Sequence, residues 1–181
     1  MPNIEMKGDR LVAKITIRGS IEAVWRELTK NNEPQAAVFN AWLHAQSFLP
    51  GARLQMRTGD GRNVLVVGNV VDFEPPRRFA HTFRFTQYDD PECTVIYELK
   101  PVPEGVEVSL VVENLPIGTR TAKEMHGGAR MILETLKAVI EDGRPKFGTR
   151  AMYWMFGKMG FVLPARTVRT CPSKNNAFSR S

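Results

Sequence analysis

The sequence predicts an α+β fold, an antiparallel meander of strands covered by one long C-terminal helix. Two observations carry this. Between Leu54 and Glu113, short runs of alternating apolar residues are separated by turns rich in Gly, Pro and Asp, the pattern of half-buried strands. From Thr119 to Gly143 the period changes, and Met125, Ala129, Ile132, Leu136, Val139 and Ile140 recur at three- and four-residue steps, which places them on one helix face. A meander with one wet face needs a cover for its dry face, and the long helix is the candidate.

Taken in order, Leu11, Ala13, Ile15 and Ile17 alternate with Val12, Lys14, Thr16 and Arg18 as a first strand. Ser20 then caps a short helix through Thr29, with Val24, Trp25 and Leu28 turned inward. Asn31 to Pro34 breaks it. Ala36 to Phe48, which carries Val38, Phe39, Trp42 and Leu43 and stops at Pro50-Gly51, reads as a second helix. Leu54 to Thr58 leads through Gly59-Asp60-Gly61, a hairpin signal, into Asn63–Phe73. Val64-Leu65-Val66-Val67 is apolar on both faces, so this strand belongs inside the sheet. Pro75-Pro76 ends it. Phe79–Phe85 puts His81, Phe83 and Phe85 on one face, Thr94–Lys100 does the same for Val95, Tyr97 and Leu99, and Val106–Glu113 for Val106, Val108, Leu110 and Val112. In the long helix Thr119 or Thr121 supplies the cap, and Gly143 with Pro145 supplies the stop. Gly127 and Gly128 sit inside it at about 1 kcal/mol each against Ala. They imply either a strand passing close beneath or room left for something the helix covers.

A chain of 181 residues is long enough for one domain with a sizeable core. The natural division is a domain over 1–145 and an extension over 146–181. Residues 143–181 hold eight basic residues and no Asp or Glu, which leaves residues 1–142 at −2 out of a total of +6. An anionic partner would therefore meet the extension. Cys93 and Cys171 form no disulfide framework or zinc spacing, which fits a reducing compartment. The charged start shows no signal peptide and no apolar run is long enough to span a bilayer, so a cytoplasmic location is expected.

The order of these elements resembles the helix-grip fold of the START-like superfamily (SRPBCC, which includes Bet v 1-like proteins). More narrowly, it resembles bacterial members of the activator of Hsp90 ATPase homologue family. The residues that carry the resemblance are Ser20 to Trp25, Trp42 before Pro50-Gly51, and Gly68-Asn69-Val70-Val71 before Pro75-Pro76-Arg77-Arg78. Thr94 to Glu98, Gly105 to Glu113 and the Gly127-Gly128 pair complete it. Two departures stand out. Val112 occupies the place of a His that many relatives carry before the acid matched by Glu113, and the separate chaperone-stimulating domain of the eukaryotic members is not matched. The resemblance implies a curved antiparallel sheet gripping the long helix, with an apolar cavity between them. Its candidate lining is Trp42, Leu54 and Met56, then His81, Phe83, Phe85 and Tyr97. Leu110 and Val112 continue it, and Met125, Gly128, Ala129 and Ile132 of the long helix close it.

The chemistry points to binding. His44, His81 and His126 lie on separate elements with no ligand-pair spacing, so no metal is expected. Ser47 and Ser109 lie in no elbow motif, Cys93 has no evident base, and no glycine turn has the form of a phosphate loop, so no catalytic residue or cofactor is assigned. His81 is expected either as a satisfied core residue or as a donor that orients a ligand carbonyl or hydroxyl. The Asp89-Asp90 turn reads as solvated. In the extension, Met152, Met155, Phe156, Met159 and Leu163 would share a helix face, docked on the domain or across a homodimer, or laid on an anionic membrane. Beyond Pro164 the chain reads as disordered. No groove-reading basic pattern supports nucleic acid. The expected function is non-catalytic binding of a small, largely apolar ligand. The alternatives are a cyclase- or hydrolase-type enzyme for aromatic or polyketide-like substrates, with His81 or Tyr97 as acid or base, and a chaperone- or membrane-interaction module.

Overall fold

The computed structural model describes residues 1–145 together with Gly148, Thr149, Ala151 and Tyr153. Nine strands form one antiparallel sheet: β1 (Asn3–Lys7), β2 (Arg10–Ile17), β3 (Pro34–Gln35), β4 (Ala41–Ala45), β5 (Arg53–Arg57), β6 (Val64–Glu74), β7 (Arg78–Phe85), β8 (Cys93–Val102) and β9 (Gly105–Glu113). Helix α1 (Ile21–Thr29) joins β2 to β3, and helix α2 (Arg120–Asp142) follows β9. Across the sheet the order is β1-β2-β9-β8-β7-β6-β5-β4-β3, so the one non-consecutive neighbour pair is β2 with β9. The sheet is open and curved, and its inner face holds the helices in a helix-grip arrangement.

Alternation builds that inner face. Leu11, Ala13 and Ile17 of β2 and Val108 and Val112 of β9 have no exposed surface. Cross-strand pairing aligns Ala13, Leu110, Tyr97 and Phe79 in one row, and Leu11, Val112, Val95, His81 and Val70 in the next. The outer face carries a small apolar cluster of Ala80, Ile96 and Val111 with Val12 beside it. It is flanked by ion pairs of Arg78 with Asp72 (2.8 Å) and Glu98, and of Arg10 with Glu113 (3.4 Å).

Helices α1 and α2 are capped by the residues that the chain places at their ends. The Ser20 hydroxyl accepts from the Ala23 amide at 3.2 Å. Gln35 is buried and donates to the carbonyls of Leu28 and Lys30, occupying acceptors that the end of α1 leaves open. Thr119 caps α2 by accepting from the Ala122 amide at 3.3 Å. Asp90 adds a second anchor, accepting from both the amide (3.0 Å) and the hydroxyl (2.8 Å) of Thr121. The acidic turn, expected to be solvated, therefore holds the start of α2. Gly143, at φ +71°, closes the helix in the left-handed conformation that favours glycine. Near that end Lys137 donates to the Thr16 carbonyl (2.7 Å), and Glu141 accepts from the Arg18 amide (2.8 Å). These two bonds pin α2 to β2. The Arg18 amide and then Lys137 hold the Glu141 carboxyl well down, at about 2.

The second helix expected over Ala36–Phe48 is not formed. Ala41–Ala45 is strand β4, with Ala41, Leu43 and Ala45 buried and His44 exposed. Phe39 and Asn40 both have positive φ, which a right-handed helix excludes. The misreading has a physical cause: Val38, Phe39, Trp42 and Leu43 fit helical spacing as well as a short strand entered through a turn. Strand β1 is also additional to the expected meander. It is an edge strand whose composition is mostly polar, with only Ile4 packed against the core. Among the described residues no helix is long and apolar enough to cross a membrane.

Candidate functional site

The candidate site is the inner face of β6 and β7 beneath α2. The backbone of α2 packs closely on β2 and less on β9, and it has no comparably close packing on β5, β6 or β7. Large side chains of these strands belong to one core cluster with Met125, Ala129 and Leu133 of α2. Along β7, Phe79, His81 and Phe83 are buried and point inward, while Arg84 between Phe83 and Phe85 is exposed.

These side chains form a continuous series of ring contacts. Trp25 of α1 meets Phe73 at 5.2 Å between centroids, and Phe73 stacks on Phe48 at 4.4 Å. Both phenyl rings approach Phe79 edge-on. Phe79 lies 5.2 Å from the His81 ring, which lies 6.4 Å from Phe83. Phe83 meets Phe85 edge-on at 4.8 Å, and Phe85 meets Tyr88 at 5.7 Å. Tyr97 stacks beside Phe79 at 6.5 Å. Edge-on and offset pairs of this kind add to simple area burial, by about 0.5–1.5 kcal/mol each.

His81 is the polar centre of the face. It has no exposed surface. Its Nδ1 is 2.8 Å from the Thr82 carbonyl, so Nδ1 carries the hydrogen and donates it. Nε2 is then a lone-pair acceptor, and it is buried with no hydrogen-bond partner. The donor role expected of His81 is already taken up by Thr82; what the ring offers inward is an acceptor. Burial lowers its pKa from 6.5 to about 4, only partly offset by the Thr82 bond, so the ring is neutral. Thr82 is itself held closely. A Cβ built on Gly68 would lie 1.9 Å from the Thr82 carbonyl oxygen, so only glycine lets β6 approach there, and the Asn69 amide donates to the Thr82 hydroxyl at 3.0 Å. Tyr97 is buried on the same face, and desolvation raises its phenol far above the ordinary value. Cys93 is buried too, its thiol pushed up to about 11, which makes it a poor nucleophile.

Most of the residues expected to line a pocket lie in the same core cluster as these rings. Leu54, Met56, His81, Phe83, Tyr97, Leu110 and Val112 are buried, Phe85 is half-buried, and Met125, Ala129 and Ile132 of α2 belong to the same core. Two stand apart. Trp42 alternates with the buried Ala41 and Leu43 and lies opposite Arg57, on the other face of β4. Gly128 is half-buried, and among the described residues a Cβ there would meet the Phe39 ring alone, at an ordinary 3.8 Å, while one on Gly127 would meet none. Among the described residues no strand passes beneath the glycine pair. Sequence reasoning missed Trp25, Phe48, Phe73 and Phe79 as members of the site. Phe79 shares the alternation of His81 and could have been found that way, whereas Phe48 was hidden inside the mistaken helix.

A cavity of about 210 Å³ lies on the opposite flank of α2, lined by Gly127, Arg130, Met131, Glu134, Thr135 and Thr149. Nearby, the Tyr153 hydroxyl donates to the Ala36 carbonyl at 3.0 Å. Met152, Met155, Phe156, Met159 and Leu163, the expected stripe of the extension, lie outside the described residues. Among the described residues no cluster of His, Cys, Asp or Glu could hold a metal ion.

Three solved structures share the fold. CalU16 from Micromonospora echinospora aligns over 90% of this chain and 95% of its own, with a TM-score of 0.60 and 16% identity. Protein MLL2253 from Mesorhizobium loti aligns over 74% and 97%, with a TM-score of 0.60 and 20% identity. DynU16, described as a putative protein in the dynemicin biosynthetic locus, aligns over 77% of this chain and 49% of its own, with a TM-score of 0.61 and 18% identity. No curated protein matches the chain. Residues 18–141 match the family described as activator of Hsp90 ATPase homolog 1-like protein. That span runs from the end of β2 to the last turn of α2 and contains the whole ring series and His81, so the chain belongs to the activator of Hsp90 ATPase homolog 1-like family.

Proposed function

We propose that this protein binds a small, largely apolar ligand without covalent chemistry, against the inner face of β6 and β7 beneath α2. The observation that carries this reading is the ring series from Trp25 to Tyr88, set where α2 does not pack closely on the sheet. Such a face recognises flat apolar molecules by shape and contact area, with few polar groups to fix orientation. A ligand enters by displacing side chains that pack this face. The family's fold and the CalU16 and DynU16 likenesses are consistent with this reading and name no ligand for this chain.

The acid–base reading is less well supported. A general acid or base works best with a pKa near the working pH. His81 is held at about 4, and Tyr97 is moved the other way, far from neutrality. Native mass spectrometry of protein purified from its own host, followed by extraction, tests the proposal. A retained organic molecule that leaves on denaturation is expected. Protein that carries nothing, and that takes up no apolar fluorescent probe, would remove the proposal's basis.

A further inference from the structure

We propose that the bound ligand carries a neutral hydrogen-bond donor, a hydroxyl of the phenol or alcohol type, that pairs with Nε2 of His81. This rests on the ligand-binding reading above and narrows its ligand class. The geometry leaves one role open at this atom. The Thr82 carbonyl takes the Nδ1 hydrogen at 2.8 Å, which fixes the tautomer and leaves Nε2 as an acceptor. Nε2 is buried and meets no donor, although buried polar side-chain atoms in native proteins are mostly paired. Neither Tyr97 nor Cys93 on this face supplies that donor, the Cys93 thiol being turned to the Phe83 carbonyl.

The arrangement is fixed from behind rather than left to chance. Gly68 permits β6 to press on Thr82, and the Asn69 amide holds the Thr82 hydroxyl, so the carbonyl that orients His81 is itself anchored. On either side of the imidazole stand Phe79 and Phe83, with ring centroids 5.2 and 6.4 Å away. A flat aromatic molecule that displaces part of this packing would place a ring substituent at the imidazole edge. A carboxylate is the wrong partner, because it brings lone pairs to a lone pair. Pairing it would need the imidazolium, which this buried setting disfavours. The inference thus separates phenols and alcohols from fatty-acid-like anions.

The test compares 2-naphthol with 2-methoxynaphthalene, which keeps the rings and the oxygen and lacks the donor. Binding to the full chain is measured by calorimetry, and the His81 side-chain nitrogens are followed by 15N NMR. The expected result is tighter binding of 2-naphthol, by on the order of ten-fold. The Nε2 resonance should move on saturation while Nδ1 stays in place, and His81→Leu should abolish the preference yet still bind both probes. If His81→Leu does not fold, the Nε2 resonance of the unmutated protein decides alone. Equal affinity for the two probes with an unmoved Nε2 resonance overturns this inference and leaves the binding reading intact. Binding of neither probe overturns the binding reading, and this inference with it.

Discussion

The Tyr153 hydroxyl donates to the carbonyl of Ala36 at 3.0 Å, tying the chain beyond α2 to the turn that joins β3 to β4. Burial raises the Tyr153 phenol above its ordinary range, with Thr135 and the Phe39 backbone countering in part. Tyr153→Phe should therefore lower stability by about 0.5–1.5 kcal/mol, the usual net worth of one such bond. A chain ending at Arg144 should lose more, as a lower melting temperature. An unchanged melting temperature in both variants, combined with loss of sedimentation with anionic vesicles in the shorter one, would assign the extension to a membrane instead.

The glycine pair of α2 gives a second prediction. Gly127→Ala places a methyl group where no described residue lies within 4 Å, so helix propensity is the effect expected to act. A gain of up to about 1 kcal/mol is expected in urea unfolding. Gly128→Leu, by contrast, extends toward the Phe39 ring and should lose about 1–3 kcal/mol through overpacking. A destabilised Gly127→Ala variant would mean that this flank of α2 is more closely covered than the described residues account for.

Gly68 is the position at which a single methyl group should do most harm. Its Cβ would lie 1.9 Å from the Thr82 carbonyl oxygen, which is backbone and cannot swing aside. Gly68→Ala should lower stability by at least about 1–3 kcal/mol. It should also shift the Nδ1 hydrogen resonance of His81, since the acceptor of that hydrogen moves. A stable variant with an unmoved resonance would show that β6 and β7 separate there without consequence.

Protonation of His81 sets a window in the pH dependence of stability. The folded value, about 4, lies below the ordinary 6.5 because burial disfavours the charged ring. Between those values the unfolded chain takes up a proton that the folded chain refuses. Stability should fall as pH drops through this window, by on the order of 3 kcal/mol in total, and this group should contribute nothing to the slope above 6.5. Glu141 acts lower down. Its folded value is about 2 against an ordinary 4.5, so the stability it supplies is lost as pH falls through that lower interval. His81→Leu should flatten the upper window and leave the lower one; urea unfolding from pH 7 to pH 2 reads both.

The parts of the fold legible in the sequence were those where one face is dry and the other wet. β2 alternates cleanly, β8 and β9 alternate except where Ile96 and Val111 are buried on the outer face as well, and α2 was bounded by Thr119 and Gly143 because capping chemistry is local. β4 was lost because its five residues offer too short a period, and the turn at Phe39 and Asn40 left no Gly or Pro signal despite its positive φ. At the site, strand phase placed His81 with Phe83 and Phe85 correctly. It could not show which ring nitrogen of His81 would be used, because that depends on Thr82, and Thr82 depends on a glycine one strand away. Trp42 was assigned by its chemistry alone, and alternation within β4 turns it to the other face.

The two rims of the sheet have a consequence for crowded solutions. One rim is β3, two residues long and opening on Pro34, which has no amide hydrogen to offer a neighbour. The other is β1, where Glu5 and Lys7 stand among exposed residues. A second molecule approaching edge to edge finds a strand too short to zip onto, or a charged border that rewards no continuation. The nine strands thus end where they end, and copies of this chain that associate must do so through something other than an endless ribbon of sheet.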